Sequence, residues 1–165
     1  MEKFPFDVND SALRASFLGP SLFDVLATLE ERTRARWGRM SAQQMVEHLS
    51  WAFELSTGRA EVKCPIPEAE LARRKAFLYG NMPTPHEFVN PVLAAGLPAL
   101  RHAALSEAKT ALRLEVERFQ EQAAAGAVRL RTHPVFGALG TEEWERSHFK
   151  HVYHHLLQLG LIETA

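Results

Sequence analysis

Ser147-His148-Phe149-Lys150-His151-Val152-Tyr153-His154-His155-Leu156-Leu157 puts four histidines on one predicted helix, and imidazole is the side chain most often used to hold a catalytic metal. With His151 at zero and about 100° per residue, His155 falls about 40° away. His148 falls about 60° to the same side and His154 about 60° to the other. Trp144, Val152, Leu156, Leu159 and Ile162 lie on or just beyond the His155/His148 side of that arc, so the histidines border the buried stripe. The helix opens at Thr141, with Glu142 and Glu143 in its first turn where carboxylates suit the dipole, and runs to about Gly160.

Three further helices are predicted upstream. Ser21 and Asp24 resemble a capping pair, followed by Leu22, Val25, Leu26 and Leu29 at helical spacing, and that helix is expected to end near Arg34. After Trp37-Gly38-Arg39-Met40, Ser41 and Gln44 form the next capping box for a helix carrying Met45, Leu49, Ala52, Phe53 and Leu55 up to Gly58, with His48 on its apolar stripe. A third runs from about Ser106 to Ala124 on Ala108, Leu112, Val116 and Phe119, closed by Gly126. No segment sustains period-two alternation, although Val128-Arg129-Leu130-Arg131 suits a brief extended stretch.

The predicted class is all-α: a four-helix bundle with a long crossover, about 58–105, between helices 2 and 3. The crossover carries six prolines, at 65, 67, 83, 85, 91 and 98, and a possible surface helix from Glu68 to Phe77.

The 165 residues, 46% of them hydrophobic, suit a single domain with a real core. A formal charge of −1 from 19 basic and 20 acidic residues, interspersed, supplies no field to draw the chain to nucleic acid or an anionic membrane. Cys64 stands alone, which excludes an intramolecular disulfide and a cysteine-cluster metal site. The start, with Glu2, Pro5 and Asp7, does not read as a leader, and no apolar run reaches membrane length, so a cytoplasmic protein is expected.

A neutral imidazole facing a core costs desolvation unless its nitrogens find partners, and a metal satisfies one on each ring. His151 and His155, at i,i+4, are the best chelating pair on the last helix, and His48 supplies a buried-face histidine from a second helix. Two ligands from one helix and one from another leave a coordination position open, as catalysis needs. His148 is the alternative donor, as a fourth ligand or an outer-shell partner. The zinc-protease signature is absent, because Val152 stands where that motif needs Glu.

Met45-Val46-Glu47-His48-Leu49 and His151-Val152-Tyr153-His154-His155 resemble the motifs of the DinB/YfiT-like superfamily of metal-dependent bacterial four-helix proteins. Trp37-Gly38-Arg39-Met40-Ser41, His133-Pro134-Val135-Phe136-Gly137 and Glu143-Trp144 through His155-Leu156-Leu157-Gln158 look like an uncharacterised domain-of-unknown-function branch of it. The resemblance implies an up-down-down-up bundle with a divalent ion, nickel or zinc, on His48, His151 and His155, and a tendency to homodimerise. It also implies chemistry like that of bacillithiol S-transferases and a mycothiol-dependent maleylpyruvate isomerase, in which the metal activates water or a low-molecular-weight thiol. The superfamily's His-His-Arg-Gly-Gln ending is replaced here by His154-His155-Leu156-Leu157-Gln158, so that arginine has no counterpart.

Around the metal ligands, His133 precedes Pro134 in the loop entering the last helix and is the candidate catalytic acid or base at the mouth of the site. Arg129 and Arg131 are candidates for an anionic substrate, and Glu115 for orienting a ligand histidine or serving as base. Glu47 is expected to be exposed, the tryptophans to serve packing, and Cys64 to be a small semi-buried residue. The reading that follows is a metal-dependent thiol transferase or hydrolase. The rival is a non-catalytic, stress-associated binding or oligomerisation module that keeps the metal for structure, which a fourth protein ligand such as His148 closing the sphere would favour.

Overall fold

A computed structural model describes residues 1–127 and 129–165. In chain order it comprises β1 (Glu2–Phe4), α1 (Ser11–Ser16), a π-helical turn (Phe17–Ser21), α2 (Leu22–Ala27), α3 (Ala42–Thr57), α4 (Glu68–Ala76), a 3-10 turn (Pro91–Leu93), α5 (Leu105–Ala124), β2 (Arg131–His133), β3 (Gly137–Leu139), α6 (Thr141–Gln158) and β4 (Ile162–Thr164).

The expected all-α four-helix bundle is not what forms. Two small sheets accompany the helices, and the architecture is mixed α/β. β1 pairs in parallel with β4, matching Glu2 to Ile162 and Phe4 to Thr164, while β2 and β3 make an antiparallel hairpin matching Arg131 to Leu139 and His133 to Gly137. Strands of three residues are too short to display an alternating pattern, which is why the sequence conceals them. Of the extended stretch expected at 128–131, only Arg131 enters a strand, and Val128 lies outside the described residues.

The expected first helix also differs. Asp10 caps an earlier one, its side chain accepting from the Leu13 N–H. Ser21 stands in helical conformation and caps nothing, because the chain arrives already wound through the Phe17–Ser21 turn. Gly19, at φ −106° and ψ −128°, breaks that turn beside Pro20, so two six-residue pieces replace one rod of bundle length. α2 stops at Ala27, where the Thr28 hydroxyl takes the Val25 carbonyl at 2.7 Å.

The other helices form where expected. α3 has the Ser41/Gln44 capping box and ends at Gly58 with φ +79°, where a Cβ would meet the Arg131 guanidinium at 2.6 Å. α5 packs along α3 through Leu112, Val116 and Phe119. α6 is capped one residue before Thr141, the Glu143 carboxylate accepting from the Gly140 N–H at 3.1 Å.

Its buried face joins an aromatic cluster in which Phe17 packs on Phe149 and Tyr153, and the Tyr153 hydroxyl donates to the Phe4 carbonyl. Between α3 and α5 the long connection carries α4 over the expected span. Lys150 of α6 holds that connection by donating to the carbonyls of Phe77, Gly80 and Met82 at 2.6, 2.5 and 2.8 Å. No helix among the described residues is long and apolar enough to cross a membrane.

Candidate metal centre

Helical periodicity on α3 and α6 carries three imidazoles to one point. His48 Nε2 lies 2.8 Å from His151 Nε2, which lies 3.0 Å from His155 Nε2. The ligand atoms of the three rings all lie within 4.8 Å of one another. Burial, then the neighbouring rings, hold His151 and His155 well below the usual imidazole range; burial and then His154 push His48 down to about 4. All three rings are therefore neutral at pH 7 and offer lone pairs.

Gln158 sets the tautomer of the third ring. Its Nε2 donates to the Trp37 carbonyl at 3.0 Å, which turns Oε1 toward His155 Nδ1 at 2.8 Å. An amide oxygen only accepts, so Nδ1 carries the ring hydrogen and His155 Nε2 is a bare lone pair. A single hydrogen on His151 Nε2 serves only one of its two contacts. With no hydrogen there, His48 donates to His151, and the His151/His155 contact sets lone pair against lone pair. No arrangement of protons on neutral rings satisfies all three nitrogens, whereas one cation at their common focus does. Bonds of about 2.0–2.1 Å at tetrahedral angles place ligand nitrogens about 3.3 Å apart. The donor set thus fits a divalent ion, and the cluster can hold one.

The triad lies on the wall of a cavity of about 1340 Å³ bounded by α3, α6, the β2–β3 hairpin and the connection 74–97. Trp37 and Trp51 help line it: Trp37 stacks on His86 at 3.7 Å and takes the edge of His154, and Trp51 stacks beside His48.

His148 does not join the cluster. It is buried, stacked on Phe53 at 3.7 Å and packed against Phe119 and Trp144, with Nε2 2.8 Å from the Ser56 hydroxyl. The roughly 60° that separates it from His151 on the helical wheel turns its ring into the α3/α5 core instead of the cavity.

His133 does line the cavity, but from strand β2, not from a loop. Its Nδ1 accepts the N–H groups of Val135 and Phe136 at 3.0 and 3.3 Å, so Nε2 bears the hydrogen and donates to the Ser147 hydroxyl at 3.2 Å. Burial pushes this ring down to about 3. Its bonds to the Val135 and Phe136 N–H groups brace the hairpin turn.

Three secondary expectations are corrected. Glu47 is buried, accepting from Gln43 and from the backbone N–H groups of Arg101 and His102, which ties the end of the long connection to α3. Glu115 pairs with Arg118 and Arg59 and does not support a ligand histidine. Arg129 and Arg131 are not among the cavity residues, while Cys64 is half-buried, as expected. The sequence alone does not single out Gln158, because its role depends on the Trp37 carbonyl 121 residues away; its one local signal is a polar side chain at i+3 from His155 on an otherwise apolar helix end.

Residues 18–160 match the family described as "Protein of unknown function (DUF1569)", and the chain belongs to it. No curated protein and no solved structure matches the chain.

Proposed function

We propose that this protein binds one divalent metal ion, nickel or zinc, through His48, His151 and His155, and uses it to activate a low-molecular-weight thiol or a water against a small molecule held in the adjoining cavity. The observation that carries the reading is the convergence of three Nε2 atoms that no distribution of protons on neutral rings can satisfy. The ion, when bound, supplies Lewis acidity that brings a thiol or water into its deprotonated form near neutral pH. The chain's own residues do the rest. Gln158 presents His155 as an acceptor, burial keeps the three rings neutral, and the lining side chains exclude water around the substrate.

The DinB/YfiT-like motif residues support the same ligand set. The rival non-catalytic module needs a fourth protein ligand, and its candidate, His148, is engaged with Ser56. His133 takes a bracing part rather than a proton-transfer one, because both of its ring nitrogens are committed.

Elemental analysis of the wild type and of His48→Ala, His151→Ala and His155→Ala tests the site: one ion per chain is expected in the wild type and none in the variants. Full occupancy in His151→Ala and His155→Ala rejects it. With Co²⁺ in place, a sulfur-to-cobalt charge-transfer band on titration with small thiols, missing in His155→Ala, is expected of the thiol reading. No band with any thiol, together with no ester or amide hydrolysis above free-metal background, would move the assignment to a non-catalytic module.

A further inference from the structure

Of the ten large hydrophobic side chains left exposed among the described residues, seven lie between Tyr79 and Leu100, on the connection that bounds the histidine cavity. Exposed apolar residues scattered singly need no explanation, whereas a concentration of them marks a site that something covers. Four of the seven, Met82, Phe88, Val89 and Leu97, line the cavity itself. Half-buried Trp51 of α3 lines it too, with Phe77 and Phe136 stacked on one another.

The polar side chains of the same wall are already engaged. Lys150 donates to three carbonyls, and Arg74 pairs with Glu70 at 3.2 Å. Ser147 bonds the His133 ring, and Gln158 spans His155 and the Trp37 carbonyl. The other charged lining residues, Arg39 and Glu87, are exposed and of opposite sign, so each charged side chain of the wall that is not exposed has a protein partner. The unpartnered Trp37 Nε1, Arg74 Nε and Trp144 Nε1 atoms are closed to anything as large as water and offer a ligand nothing. The convergent lone pairs of His48, His151 and His155 thus form a single polar focus on a wall that is otherwise largely apolar.

A cavity of about 1340 Å³ exceeds the roughly 300–1,000 Å³ of ordinary small-molecule pockets. Desolvating a charged group against such a wall without a partner is costly, whereas covering its apolar side chains is favourable in rough proportion to the area removed from water. We infer that the molecule handled at the triad carries a bulky, uncharged, apolar body, aryl or alkyl, which fills the cavity and covers the exposed side chains of the connection. The inference rests on the cavity being the substrate site of the proposed function; binding of the body does not require the ion.

The neutral fluorophore N-phenyl-1-naphthylamine, titrated into chelator-treated protein, tests it. Saturable binding with enhanced emission is expected. Phe88→Ser and Leu97→Ser should each weaken it about tenfold, the scale of covering one large apolar side chain. Val92→Ser and Leu100→Ser, exposed on the same connection but outside the cavity, should leave it unchanged. 2-Naphthylmethanol should displace the fluorophore at least tenfold better than 2-naphthoate or 2-naphthylmethylammonium. The inference is overturned by any of three results: no saturable binding, an affinity unmoved by Phe88→Ser and Leu97→Ser or lowered equally in all four variants, or displacement by either charged probe as readily as by the alcohol. On Co²⁺-loaded protein, the thiol concentration that half-saturates the charge-transfer band should fall about tenfold from ethanethiol to butanethiol and again to hexanethiol, and a flat series overturns the inference as well. The expected fluorophore pattern in a protein that takes up no metal would leave this inference standing and remove the metal reading. Stoichiometric metal without fluorophore binding would overturn this inference alone.

Discussion

At the scale of single residues, the site depends on which nitrogen of each ring is bare, and Gln158 decides that for His155. Outer-shell partners of this kind orient a ligand and raise its basicity, and their loss costs about 10–100-fold in metal affinity. Gln158→Leu is therefore expected to weaken metal binding by that factor while one ion per chain still binds, as measured by competition with a chromophoric chelator. Gln158→Glu should restore much of it, since a carboxylate also accepts from Nδ1; equal affinity for all three proteins would sink the role. The clustering of His48, His151 and His155 is legible because their positions follow helical geometry within α6 and the apolar stripe of α3. A helical wheel gives the angle of a side chain but not the element packed against it, so it cannot show that Phe53 and Ser56 claim the His148 ring.

At the scale of elements, helices with complete end signals were read to within a residue or two, as Ser41, Gln44 and Gly58 illustrate for α3. The first helix failed because Ser21 looks like a cap, while the Gly19-Pro20 kink that governs the segment resembles an ordinary boundary. The long connection, the least readable part, is held at its end by Glu47 of α3 and in its middle by Lys150 of α6. Lys150→Met would leave the carbonyls of Phe77, Gly80 and Met82 without their donor, a local cost of at least about 2 kcal/mol. Limited trypsin digestion should then cut faster at Arg73, Arg74 and Lys75 than in the wild type, with metal uptake retained; an unchanged digestion pattern would show that other contacts suffice.

At the scale of the whole molecule, stability should carry a signature of buried neutral imidazole. His133 has its ring pushed down to about 3 from an ordinary 6.5, so between those values the unfolded chain binds a proton that the folded chain refuses. Its contribution is complete above about pH 6.5 and is lost as pH falls toward about 3, at roughly 1.4 kcal/mol per pH unit. Urea denaturation of wild type and His133→Gln at pH 7 and pH 5 checks this: the pH dependence should be smaller in the variant. The sheets that overturned the bundle also belong to this scale. β1 and β4 meet across 160 residues in their Glu2–Ile162 register, and no window along the chain contains both.

His48 and His151 are 103 residues apart in sequence and 2.8 Å apart in space. An ion shared between them would act as a reversible staple across most of the chain, present in the folded state and without a preformed counterpart in the unfolded one. Mass action then makes the melting temperature a readout of free metal: above the dissociation constant, each tenfold rise in free ion adds about 1.4 kcal/mol of stability. A melting series in metal buffers should climb steadily with the logarithm of free ion in the wild type and stay flat in His151→Ala. In a cell, the steady-state abundance of such a protein would follow metal supply without any change in its synthesis.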